Sequence, residues 1–356
     1  MRRTVWIGCE AGELLLVGGL VTLGRHGHRY RRRYATRGGL ASFQAMSFEV
    51  SEVVCDSDRA VYAEVRNRVN PCNPYTADEL LHAWSLPPDC MALLALSDGE
   101  PAGYAYVEVQ HWAPDAQTAL ADIGVLTDAR GYGLGSALYR AVSRWCAARA
   151  LDGLDLFLVL GQGDATAFWM RRGFSEVFRE SVSKLDLAGA DLPAAAPPIG
   201  VRLVTLAERG DLDDAVYAVA CEAIADSPGA DGDRYEAGDF DHWRTAEFRS
   251  PGVIEDCTII ALAAGDMVVG YASLWRMGAL PGTALHGFTG VARASRGRGV
   301  ARALKLEQLI RAQRIGITAV RTENVEANAP MLAINRSLGY LPLYTVLVMR
   351  GPLARR

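Results

Sequence analysis

The chain has 356 residues, half of them hydrophobic, with 37 Lys and Arg set against 41 Asp and Glu for a formal charge of −4. That balance removes the basic footprint of a nucleic-acid binder, and the length suits two domains of ordinary size. Seven scattered cysteines (Cys9, Cys55, Cys72, Cys90, Cys146, Cys221, Cys257) form no C-x-x-C pair, so no zinc site or disulfide framework is expected and a reducing, cytoplasmic setting fits.

Residues 1–45 differ in composition from all that follows. An apolar run, "LLLVGGLVTLG", precedes a basic cluster of Arg29, Arg31, Arg32 and Arg33. The run is about half the ~20 residues a membrane-spanning helix needs, so no stable membrane insertion is expected. Glu10 and Glu13 lie ahead of it and no small-residue cleavage site follows. The segment is expected to be a disordered arm or a mis-started extension, with a membrane-surface or targeting role as the other reading.

From Met46 the pattern becomes regular. A strand-like "FEVSEVV" leads to a helical "DRAVYAEVRNRV", then to two strands around a glycine turn in "MALLALSDGEPAGYAYVEV". The next strand feeds the stretch "DARGYGLGSALYRA" at 128–141. Beyond that turn Leu138, Ala141, Val142, Trp145 and Cys146 recur at helical spacing, which predicts a helix with one buried face. The strand "LDLFLVL", a short helix and a closing strand complete the unit. An Ala/Pro-rich stretch, residues 188–200, has no periodic face and suits an extended linker. Then the same order returns: "VRLVTL", "LDDAVYAVACEAI", "TIIALAAGDMVVGYASLW", a strand into "ASRGRGVARALKLE", and "ITAVRTEN".

The two glycine turns are 166 residues apart (296 − 130), and other landmarks keep that offset. Val125 pairs with Val291, Leu138 with Leu304, Gly99 with Gly265, and Gly173-Phe174 with Gly339-Tyr340. Agreement over such separated positions marks an internal duplication. The chain therefore reads as an extension (1–45), a first α/β unit (46–187), the linker (188–200) and a second unit (201–353).

A strand feeding Arg-x-x-Gly-x-Gly/Ala and then a helix collects free backbone N–H groups around one concavity. Glycine admits positive φ and close approach of an anion, and the helix N-terminus adds the positive end of its dipole. Such a nest suits a pyrophosphate, although a plain strand-to-helix turn would look the same in sequence. No Gly-Lys-Ser/Thr ending is present, which excludes a nucleotide-triphosphate P-loop. Leu138 and Leu304 replace the third glycine of a dinucleotide fingerprint.

The strand ending in valine, the five-residue step to Arg130 or Arg296, the helix, and the later "GF" or "GY" resemble the GNAT superfamily of acyl-CoA-dependent N-acetyltransferases over roughly residues 46–350. The form is the tandem, mycothiol-synthase-like one, without that group's full motif set. The resemblance implies an α/β fold (mixed α+β sheets) of two tandem GNAT-like domains, each a central mixed sheet flanked by helices. It implies acetyl-CoA as co-substrate and a small-molecule amine as acceptor. It places the pyrophosphate on Arg130, Gly131, Tyr132, Gly133, Leu134 and Gly135, or on Arg296, Gly297, Arg298, Gly299, Val300 and Ala301. The acyl and pantetheine part would lie along the backbone ending at Val125, or at Thr289, Gly290 and Val291. Asn328 matches a cofactor-contacting asparagine of the family, where the first copy has Gln162. With Thr322, Asn324 and Asn335 nearby, this asymmetry favours the second copy as the catalytic one, while helix capping is the competing role for such asparagines.

The chemistry needs a base for the acceptor ammonium, an oxyanion donor and an acid for the thiolate. The family's usual tyrosine acid is replaced by Trp169 and Asn335, and its strand glutamate by Ala119 and Leu285. His286 is adjacent, but strand alternation turns it to the opposite face. No catalytic residue is assigned from sequence, and no metal is implied. The segment "DRYEAGDFDHWRTAEF" is expected to help build the acceptor pocket. The double loss leaves a second reading open, a non-catalytic acyl-CoA-binding or sensing protein.

Overall fold

The computed structural model describes residues 15–24, 27–35, 45–161, 165–229 and 233–355. Strands β1 (Leu15–Gly24) and β2 (Gly27–Ala35) form an antiparallel hairpin, and β2 pairs with β3 (Ala45–Glu52). This hairpin falls within the segment read from sequence as an extension; the rest of that segment lies outside the described residues. The first copy continues with α1 (Asp56–Val69), α2 (Ala77–Ser85), β4 (Cys90–Ser97), β5 (Glu100–Val109), β6 (Thr118–Val125), α3 (Leu134–Ala147), β7 (Gly153–Val159), α4 (Ala165–Met170) and β8 (Ser175–Asp186). The second copy has β9 (Arg202–Thr205), α5 (Asp213–Ala225), α6 (Phe240–Phe248), β10 (Ile259–Leu262), β11 (Val268–Arg276), β12 (Thr283–Val291), α7 (Val300–Arg314), β13 (Ala319–Val325), α8 (Ala329–Ser337) and β14 (Leu341–Pro352). Residues 188–200 between them hold no helix or strand.

Local chemistry accounts for the helix starts. Thr76 and Glu79 form a capping box at α2, worth about 1 kcal/mol. Asp239 caps α6 by accepting the His242 N–H at 2.8 Å. Gly133 and Gly299 precede α3 and α7 at φ of 93° and 89°, a region closed to most side chains. Strand alternation sorts the layers. On β5, Tyr104 and Tyr106 face the α1–α2 layer, while Ala105 and Val107 face the core under α3.

The strands form one continuous mixed sheet in the order β1-β2-β3-β4-β5-β6-β7-β14-β8-β13-β12-β11-β10-β9. Only β6–β7 and β12–β13 are parallel. The order shows that the copies exchange their closing strands. β14, from the end of the chain, pairs with β7 of the first copy, while β8 pairs with β13 of the second. Core membership agrees: Leu347 and Met349 of β14 are buried with Leu138, Leu154 and Trp169, whereas Leu185 and Leu187 are buried with Leu309 and Val320. Two tandem units, 46–187 and 201–353, each with a central mixed sheet, were expected; the strands of both form one continuous mixed sheet, in which the closing strand of each unit borders the other. The repeat could not reveal this, because a closing strand of either copy carries the same alternation.

The exchange ties the halves together with polar contacts as well. Arg350 on β14 forks onto Asp155 of β7 at 2.7 and 2.8 Å and reaches Asp233 at 2.7 Å. Arg321 on β13 donates to the Cys72 carbonyl at 2.6 Å, and Glu79 accepts the Gly278 N–H at 2.6 Å. Among the described residues no helix is long and apolar enough to cross a membrane.

Candidate acyl-donor and acceptor site

In the first copy, β6 and β7 pair from Thr118–Gly153 to Ala121–Leu156 and then part. The gap opens into a cavity of about 800 Å3 bounded by Asn70, Val125, Phe157, Val159, Phe168 and the glycine turn. At that turn Arg130 Nε donates to the Val125 carbonyl at 2.9 Å, fixing the loop to the strand end. Gly131 and Gly133 both have positive φ, and a Cβ at Gly131 would meet nothing within 4 Å. The first N–H groups of α3 have no partner within the helix and so are free to meet an anion. Gly135, Leu134, Arg171 and Arg172 complete the lining. Arg172 lies 3.4 Å over the Phe168 ring and holds Ser136 at 2.9 Å. Open space, bare N–H groups and cationic walls fit a pyrophosphate. Of the expected residues, Tyr132 sits beside this cradle with 43% of its surface exposed, and Gln162 lies outside the described residues.

Among the described residues the one carboxylate lining this cavity, Asp122, accepts the Tyr104 hydroxyl at 2.8 Å and lies 3.3 Å from Arg66 Nε. Its charge is already met.

The second copy repeats the backbone of this cradle. β12 and β13 pair from Thr283–Ala319 to Leu285–Arg321 and then part, and Arg296 Nε donates to the Val291 carbonyl at 2.9 Å. Gly297 and Gly299 again have positive φ over open space, ahead of Val300 and Ala301. The surroundings differ. Asp226, at the end of α5, accepts from Arg293 and from Arg296 at 2.7 Å, and Glu222 takes the Arg293 backbone N–H. These arginines hold the Asp226 carboxyl well below the usual carboxylate range. The pairs are half-exposed, so they yield readily to a competing phosphate.

A second difference lies in the strand. β5 and β6 keep one register from Gly103–Val125 to Val109–Ala119, but β11 and β12 slip by one residue between Ala272–Thr289 and Leu274–His286. Gly287 and Phe288 thus oppose Ser273 alone, a β-bulge placed just where β12 leaves β13. The Phe288 N–H points to α6, where Glu247 accepts it at 3.3 Å; the same carboxylate oxygen takes the Ser273 hydroxyl. Burial pushes the Glu247 carboxyl up to about 7.

The asparagines divide between two roles. Asn328 caps α8, accepting the Met331 N–H at 3.3 Å. Asn335, 2% exposed, donates to Asn324 at 2.6 Å, and Thr322 links Asn324 to the buried Lys305 amine at 3.3 Å. Burial pulls that amine down to about 7. His286 packs on the α7 side, 2.5 Å from the Tyr340 hydroxyl, on the face that strand alternation assigned to it. Burial and the nearby Lys305 charge keep it neutral. Sequence reading passed over Glu247, Asp226 and the bulge. Only Glu247 left a signal, since it belongs to the segment expected to build the acceptor pocket.

Comparison with known proteins agrees with this geometry. Residues 59–174 match the acetyltransferase (GNAT) family. The chain is 29% identical over 257 residues to the mycothiol acetyltransferase of Pseudarthrobacter chlorophenolicus, covering 70% of this chain and 74% of that protein. Its fold is that of a GCN5-related N-acetyltransferase from Sphaerobacter thermophilus (TM-score 0.68, 22% identity, 86% of this chain and 96% of the other). It is equally that of a tandem GNAT protein of the clavulanic acid biosynthesis pathway (TM-score 0.68, 22% identity, 87% and 99%). Residues 59–174 thus hold a GNAT acetyltransferase domain, and with two cradles on one duplicated α/β sheet the chain is similar to tandem proteins of that superfamily.

Proposed function

We propose that the chain transfers an acetyl or other short acyl group from acyl-CoA to the amine of a small molecule, with the second copy as the reaction centre. The observation that carries this choice is the bulge at Gly287–Phe288, at the point where β12 parts from β13. A bulge re-aims backbone and side chains next to the gap in which an acyl thioester would lie. The Arg296–Ala301 turn would take the pyrophosphate, and the strand ending Thr289, Gly290, Val291 would run beside pantetheine. A mycothiol acetyltransferase among the relatives supports acyl transfer as the reaction type. The first unit, 46–187, is proposed as a second acyl-CoA site: its cavity is open, but β6 is unbulged and Asp122 is neutralised by Arg66.

That open cavity also favours a second reading, in which the first copy binds the donor and no transfer occurs. Calorimetric titration with acetyl-CoA, together with thiol release over a panel of phenylethylamine, spermidine and glucosamine, separates the two. Gly135→Glu and Ala301→Glu place a carboxylate at an unstrained helical position, where it repels pyrophosphate while suiting the helix dipole. We expect Ala301→Glu to abolish thiol release and Gly135→Glu to remove one binding site with release retained. Release that survives Ala301→Glu would move the reaction centre to the first copy. Tight binding without release from any acceptor would establish the binding-protein reading.

A further inference from the structure

Acyl transfer to an amine needs a group to take the ammonium proton, and the strand positions for one are occupied by Ala119 and Leu285. His286 is excluded by geometry, because it is turned to the α7 side and held by Tyr340. Asp122 is committed to Arg66 and Tyr104.

We propose that Glu247, reaching from α6 to the β12 bulge, is the proton acceptor for the amine in the second copy. The inference rests on the second copy being the reaction centre. The bulge aims the Phe288 N–H out of the ladder at the Glu247 carboxylate, and Ser273 from β11 holds the same oxygen. Trp275 Nε1 donates to the Glu247 carbonyl at 3.2 Å, so the end of α6 is pinned to the sheet. Glu247 is 8% exposed and meets β11 and β12 at the bulge, just beyond the point where β12 and β13 stop pairing. Gly287 permits this approach, because a Cβ there would collide with Ser273 Oγ.

The neighbourhood is polar where a plain core would not be. Among the described residues the buried Tyr271 hydroxyl and Trp243 Nε1 have no hydrogen-bond partner outside that pair. The titratable groups facing the carboxylate are Tyr271 from β11 and, behind it, Cys221 from α5. Burial keeps the Tyr271 hydroxyl protonated, and among the described residues no cation holds Glu247 ionised. A carboxyl kept without a counter-ion beside an opened strand is costly for stability and suited to accepting a proton near neutrality.

The step balances as follows. The acceptor ammonium gives one proton to Glu247, and the freed lone pair forms the C–N bond at the thioester carbon. The C–S bond then breaks with its electron pair on sulfur. The second N–H proton of the adduct neutralises the thiolate, and Glu247 returns its proton to solvent.

Glu247→Gln keeps an acceptor for the Phe288 N–H, so the fold is retained while the base is lost. With acetyl-CoA and whichever panel amine reacts best, kcat/KM at neutral pH should fall about a hundredfold to ten-thousandfold. The rising acid limb of the pH profile should disappear with it. Hydroxylamine, already unprotonated at neutral pH, should react with the variant within a few-fold of the parent, which also reports an intact fold. Acetyl-CoA affinity should not change. If Ala301→Glu abolishes release while Glu247→Gln keeps both rate and acid limb, Glu247 is not the base although the second copy is the reaction centre. If Ala301→Glu leaves release intact, the second-copy reading itself fails and this proposal with it.

Discussion

The two cradles of this chain differ little in backbone and greatly in what surrounds them. Their capping glycines have φ of 93° and 89°, and the same arginine-to-strand hydrogen bond of 2.9 Å closes each loop. In the first copy the helix facing the loop ends at Asn70, and a cavity separates the two. In the second the corresponding helix ends at Asp226, and ion pairs bridge the gap. Only the second has the bulge. Backbone shape set by glycine and a helix start is retained through duplication, whereas charge and strand register are free to diverge, and these decide what each cradle can do.

Exchanging the closing strands makes the sharpest comparison, because a substitution in one copy should weaken the other. Met349, 1% exposed in the core of the first copy, lies near the end of the chain. Met349→Ala should cost about 2–5 kcal/mol, with amide exchange rising in α3 and β7 and not in α7. Deprotection centred on α7 instead would show that the copies close their own sheets.

A smaller effect is expected at the cradles. Asp226→Asn frees Arg293 and Arg296 and removes a carboxylate that a pyrophosphate must displace. Acetyl-CoA affinity at the second copy should rise roughly three- to tenfold at low ionic strength, and less in high salt. Titration should show the first-copy site unchanged.

The smallest shift concerns stability. Glu247 has a folded pKa of about 7 against an ordinary value of 4.5. Between those values the unfolded chain releases a proton that the folded chain retains, so the parent loses stability as pH rises through this window. Glu247→Gln should therefore melt a few degrees higher than the parent at pH 8, with the difference shrinking toward pH 4.5. A variant less stable than the parent at pH 8 would mean that the carboxylate is a structural contact.

Much of the fold was legible because it rests on local pattern. The offset of 166 residues, the helix after Gly133 and the strands around each turn all follow from periodicity and glycine placement. The roles of single polar residues were less so. Asn328 read both as a cofactor contact and as a helix cap, and it does cap α8, since a side-chain oxygen at a helix start serves either purpose. Glu247 lay in a segment expected to help build the acceptor pocket, but its burial depends on Ser273 and Phe288, 26 and 41 residues away in the chain.

By itself the amino-acid sequence determined the duplication, the mixed α/β class and the two glycine cradles, because the last two follow from local spacing and the first from landmarks that keep one constant offset of 166 residues. Tertiary structure alone decided which sheet each closing strand joins, which cradle is bridged by Asp226, and which carboxylate meets the bulged strand. Those outcomes turn on a one-residue slip of register and on contacts between distant segments, where equivalent strands compete for the same edge and only the packing of both copies together selects between them.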